Sequence, residues 1–169
     1  MISSVDIDGN SGAADEGVDF ALVAYREENV WRLDELGDER LHDLDQFAAE
    51  LRRYPGDFGS LGLVSVDEDF FVLVRVAGDR TRVLLSDVTA ATEWPIARSV
   101  VETLEIPMPE DEDDQLPAGD LGIVSDLGLP AMDMGAMLDD YELYPDEILG
   151  DIAHKLGFGA LYDELLAAP

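Results

Sequence analysis

Cysteine is absent from the 169 residues, which removes disulfides, zinc–thiolate sites, iron–sulfur clusters and thiol catalysis together. Basic side chains are scarce: 10 lysines and arginines stand against 39 acidic residues, for a formal net charge of −29. Lys155 is the only lysine. A phosphate backbone is gripped by Lys and Arg that displace its counterions, so this charge balance argues against direct binding to nucleic acid or to an anionic membrane. No apolar run approaches the ~20 residues that cross a bilayer. The stretch from Met1 to Gly17 lacks the basic and apolar regions of a signal peptide, so the expected setting is the cytoplasm.

What is present suffices for a core. The hydrophobic fraction is 47%, and a chain of this size buries roughly 70% of its unfolded surface on folding. Residues 1–17, rich in Ser, Gly, Asn and Asp, read as a disordered acidic tail. The apolar run Phe20–Tyr25, the turn Glu27-Glu28-Asn29 and the alternating Val30–Leu36 predict an opening hairpin. A helix follows, with Asp38 as its cap and Leu41, Leu44, Ala48 and Leu51 as its stripe, Phe47 flanking. Three strand-like runs come next: Leu61–Val66, Phe70–Val76 and Arg82–Val88, joined by Asp67-Glu68-Asp69 and by Ala77-Gly78-Asp79-Arg80. Phe70, Val72, Val74 and Val76 share one face of the middle run, with Phe71 and Leu73 on the other. A second helix starts at Thr89 or Thr92, with Pro95 in its first turn and Ala97, Val100, Val101 and Leu104 as its stripe.

The expected fold is therefore α+β: an antiparallel sheet of about five strands in the order β-β-α-β-β-β-α, with helices on one face, over residues 18–106. Residues 107–119 read as a linker, in which Glu110, Asp111, Glu112, Asp113 and Asp114 repel one another and stay solvated and extended. Residues 120–169 read as a short helical region, with stripes at Met134, Met137, Leu138 and Tyr141, then Leu149, Ile152, Ala153 and Leu156, then Phe158, Leu161, Tyr162 and Leu165. Packing of these helices on each other or on the sheet is open at this point.

No catalytic constellation emerges. His42 and His154 lie on separate segments without a second imidazole nearby, and no elbow of the G-x-S-x-G type surrounds Ser65 or Ser86. Asp6–Asn10 opens like a calcium loop, but Ser11 and Gly17 stand where its turn glycine and bidentate glutamate belong. Gly56, Gly59 and Gly62 lie between a helix and a strand, which suits a loop better than a phosphate cradle. The pair Asp139-Asp140 reads as solvated charge. A helix-turn-helix reading fails because Lys155 is the only basic residue after Arg98. The expectation is a non-enzymatic protein with no cofactor and no metal. Its candidate contact residues are Asp67, Glu68 and Asp69 in a hairpin turn, Glu110, Asp111, Glu112, Asp113 and Asp114 in the linker, and Tyr144, which with Pro145 offers a small docking surface where Leu143-Tyr144-Pro145-Asp146-Glu147 opens a helix.

The strings Leu63-Val64-Ser65-Val66-Asp67-Glu68-Asp69-Phe70-Phe71-Val72 and Leu85-Ser86-Asp87-Val88-Thr89-Ala90-Ala91-Thr92 resemble the tRNA adenosine deaminase-associated proteins of actinobacteria. Pro117-Ala118-Gly119-Asp120-Leu121, Leu143–Glu147 and Leu156-Gly157-Phe158-Gly159 extend the resemblance over nearly everything after the tail. The resemblance implies an accessory role beside a tRNA-editing deaminase, whose basic surface an acidic protein would complement. It carries no functional residues across. The alternative expectation is an interaction or scaffold module unrelated to editing.

Overall fold

The computed structural model describes residues 18–36, 43–54, 56, 59–109, 116–140 and 143–167. The acidic tail, the Asp38 cap with Leu41 and His42, the run Glu110–Asp114, and Tyr141 lie outside these residues.

Six strands form one antiparallel sheet: β1 (Val18–Glu27), β2 (Val30–Glu35), β3 (Ser60–Val66), β4 (Phe70–Ala77), β5 (Arg80–Leu85) and β6 (Ala118–Gly119), in the spatial order β2-β1-β3-β4-β5-β6. The fold class is thus as the sequence pattern indicates, with one strand more than about five. The additional strand is only two residues long, paired through Leu84–Gly119 and Leu85–Ala118. Too short for any period, it falls in a stretch whose prolines and charges read as linker. Each hairpin is tight. Glu28 and Asn29 both take positive φ (51° and 67°) between the paired Glu27 and Val30, the backbone that matches strand twist. Gly78, at φ 63°, opens the turn between Ala77 and Arg80.

The strand period of two sends alternate residues to opposite faces. On one face, Ala21, Val23, Val64, Phe70, Val72 and Val74 meet two helices, α1 (Leu44–Leu51) and α2 (Pro95–Leu104). Asp43 caps α1 by accepting from the Asp45 amide, and Phe47, expected beside the stripe, is fully buried within it. α2 starts at Pro95, later than either threonine, because Asp87 caps a separate 3-10 turn over Val88–Thr92. Gly62 is a strand residue and not a loop glycine: a Cβ there would stand 2.7 Å from the Phe47 ring. That missing side chain lets α1 sit close on the sheet.

The other face carries Leu22, Ala24, Leu61, Leu63, Phe71, Leu73 and Leu84. It is covered by the C-terminal helices α3 (Ala131–Leu138), α4 (Pro145–Leu156) and α5 (Gly159–Ala167). The sheet is therefore sandwiched between two helical layers, and the sheet helices α1 and α2 keep to one face as expected. This accounts for the unbroken burial of β3 and of β4 from Phe70 to Val76. Arginines fasten the segment leading into the second layer. Arg82 bonds Asp120 at 2.7 Å and the Gly122 carbonyl at 2.8 Å. Arg75, its cross-strand neighbour on β4, reaches Asp126 and the carbonyl of Ile123.

Candidate partner-binding cleft

At one end of the sheet the β3–β4 turn faces the connection between α3 and α4 across a cleft of about 250 Å³. The turn is unusual, since Asp67 and Glu68 both hold positive φ (55° and 50°), a conformation disfavoured for side chains without glycine's freedom. Asp19 on β1 fixes it: its Oδ2 accepts from the Glu68 amide at 2.8 Å and from the Ser65 hydroxyl at 2.9 Å. Ser65 is thus a strut for the turn. Ser86 has a comparable job, accepting from the Phe71 amide at 2.8 Å and continuing the ladder past β5.

Apolar groups make the base of the cleft, with Phe71 from β4, Leu138 from α3 and Ile148 from α4 all buried. Carboxylates line it: Glu68 and Asp69 from the turn, Asp87 beyond β5, and Asp140 after α3. Asp87 is almost wholly buried and is held by Thr89, whose amide and hydroxyl donate to its Oδ1 at 2.9 and 2.6 Å. Tyr144 closes the far wall, more than half exposed. Its backbone is locked by the start of α4, where its amide donates to Glu147 Oε1 at 2.8 Å. Burial pushes the Asp69 carboxyl above its ordinary range, and the neighbouring charges of Asp87, Asp67 and Glu93 push it further. A cleft that resists holding its own negative charge favours a cation.

The structure thus sets Glu68 and Asp69 opposite Tyr144, with Asp67 beside them in the turn. Asp87 and Asp140 complete the lining; in the sequence Asp87 is not singled out and Asp140 is set aside as solvated charge. The D-x-T spacing marks Asp87 only as a cap, and Asp139-Asp140 looks like ordinary surface charge. Both come to line the cleft because the chain folds back across the end of the sheet. At this size the cleft falls below the range that encloses a drug-sized ligand. Among the described residues, no cluster of three or more His, Asp or Glu is placed to hold a metal ion.

On the other side of Leu143 lies a second, open hollow of about 570 Å³ between α4 and α5, lined by Asp146, Glu147, Asp151 and Asp163 with Leu166. Its floor is the Tyr162 ring, which packs where Gly150 leaves room: a Cβ on Gly150 would lie 3.2 Å from that ring. Burial, reinforced by Asp146 and Asp163, holds the Tyr162 hydroxyl protonated, and it donates to the Asp146 carbonyl at 2.7 Å. His154 bonds Asp163 at 2.8 Å.

The family described as Rv3753c-like tRNA adenosine deaminase-associated protein matches residues 19–159, which takes in the whole lining of the cleft but not Tyr162, Asp163 and Leu166 of the second hollow. The chain belongs to that family. A relative within reach of direct alignment, Protein Rv3753c of Mycobacterium tuberculosis, is 44% identical over 149 residues, covering 86% of each chain. No solved structure matches. For this tRNA adenosine deaminase-associated protein, no helix among the described residues is long and apolar enough to cross a membrane.

Proposed function

We propose that the chain is a non-enzymatic cytoplasmic accessory that acts by contact with a tRNA adenosine deaminase, using the acidic cleft as part of the contact. The observation that carries this reading is the convergence of Glu68, Asp69, Asp87 and Asp140 over an apolar base, in a chain of net charge −29. An enzyme that binds tRNA must offer Lys and Arg to the phosphates. An acidic partner docked on that basic surface competes with tRNA and so regulates access. The cleft's contents suit contact better than chemistry: Ser86 is committed to the Phe71 amide and Asp87 to its cap.

The test is recovery from host cells of whatever a tagged copy of this chain holds at low salt. The reading expects a tRNA adenosine deaminase that leaves the resin as salt rises. Recovery of a different protein in its place would favour a scaffold unrelated to editing.

A further inference from the structure

The two hollows described above adjoin at Leu143. Leu143 lines both, and the chain passes from Tyr144 and Pro145 in the cleft directly into Asp146 and Glu147 in the hollow beside α4. We infer that together they are the docking groove for a basic amphipathic helix of the partner, lying across Leu143-Tyr144-Pro145.

Charge selects the sign of the occupant. Each hollow is lined by four carboxylates, and the single basic side chain lining either is His154, whose Nε2 faces Asp163. The N-terminus of α4 would ordinarily attract an anion, but Asp146 and Glu147 occupy its first turn and cancel that preference. Apolar side chains make the occupant amphipathic as well as basic. Tyr144, which lines the cleft, is 58% exposed, Leu166, which lines the second hollow, 39%, and Leu143, common to both, is half-buried. The conformation follows from the walls. The hollow between α4 and α5 is built of two helices and offers no strand edge, so a guest is held through its side chains, as a helix in a groove. Its floor is preformed, because Tyr162 is pinned to the Asp146 carbonyl and fills the space beside Gly150. The cleft is of a size for one long cationic side chain, its stem against Phe71 and Ile148 and its head among the carboxylates.

The identity of the protein carrying this helix rests on the accessory reading; the groove itself does not. Fluorescence anisotropy on the full chain, with a labelled peptide of Arg and Leu at helical spacing, tests the groove directly. A shuffled peptide of the same composition controls for charge alone. The ordered peptide should bind about tenfold tighter than the shuffled one. D146N/D151N and Tyr144→Ala should each weaken it by about tenfold or more, with circular dichroism unchanged. Equal binding of both peptides, or folded variants that bind like the parent, overturns the groove. The same variants are then offered to a purified tRNA adenosine deaminase. Capture by the parent and equally by the variants removes the groove and leaves the accessory reading standing. Peptide binding without deaminase capture removes that reading and leaves the groove.

Discussion

Arg75 grips Asp126 through two parallel hydrogen bonds, 2.5 Å from Nη1 to Oδ1 and 3.0 Å from Nη2 to Oδ2. The pair joins the middle of the sheet to the segment that introduces the C-terminal helices, and its two ends are unlike: Arg75 is buried, whereas Asp126 is more than half exposed. Removing the carboxylate takes a bidentate partner from a buried guanidinium, but removing the arginine returns Asp126 to water. Asp126→Asn should therefore cost about 1–3 kcal/mol, and Arg75→Met clearly less, in urea unfolding.

The same pair sets part of the acid response. Hydrogen bonds from Arg75 hold the Asp126 carboxyl below its ordinary 3.8. The stability it supplies is present above that value and disappears as pH falls through the depressed folded-state value. Asp69 works in the opposite sense. Its raised folded-state value means that its ionisation opposes folding at neutral pH, and protonation relieves that opposition as pH falls toward 3.8. Asp69→Asn should thus raise the melting temperature slightly at neutral pH, with the gain vanishing at and below pH 3.8. A gain that persists unchanged into strong acid would mean that Asp69 is not strained by burial and its acidic neighbours.

Strand faces were legible because alternation in Phe70–Val76 splits them cleanly, and Phe71 does lie in the core opposite Phe70. The helices were legible in their stripes but less so in their starts, since Asp43 and Asp87 each cap a turn that threonine or Asp38 serves equally well on paper. Half of the cleft was legible. Asp67-Glu68-Asp69 and Tyr144 stand out as a charged turn and the aromatic of a helix start, but Asp87 and Asp140 join them only through the folding of the C-terminal layer onto the sheet. Nothing local in sequence encodes that contact. The apolar stripes of the C-terminal helices pack on the sheet, and Arg75 to Asp126 and Trp31 Nε1 to the Leu156 carbonyl at 3.1 Å fasten that packing over long range.

Both faces of the sheet are packed, so small changes at either should be felt. Phe71→Ala removes a buried ring beneath the cleft and should cost about 3–5 kcal/mol. Gly62→Ala adds a methyl that meets the Phe47 ring on the opposite face and should cost about 1–3 kcal/mol by overpacking. Thermal melts distinguish the layers. Equal and negligible effects of both substitutions would mean that the sheet is not enclosed on two sides.

Calorimetric titration of this chain with a purified tRNA adenosine deaminase at about 50 mM and about 500 mM salt tests whether its acidic surface docks on that enzyme. The expected result is a saturable complex at the lower salt, weakened strongly at the higher, and displaced by added tRNA. Absence of heat and of any complex at low salt, with both proteins folded, would contradict it.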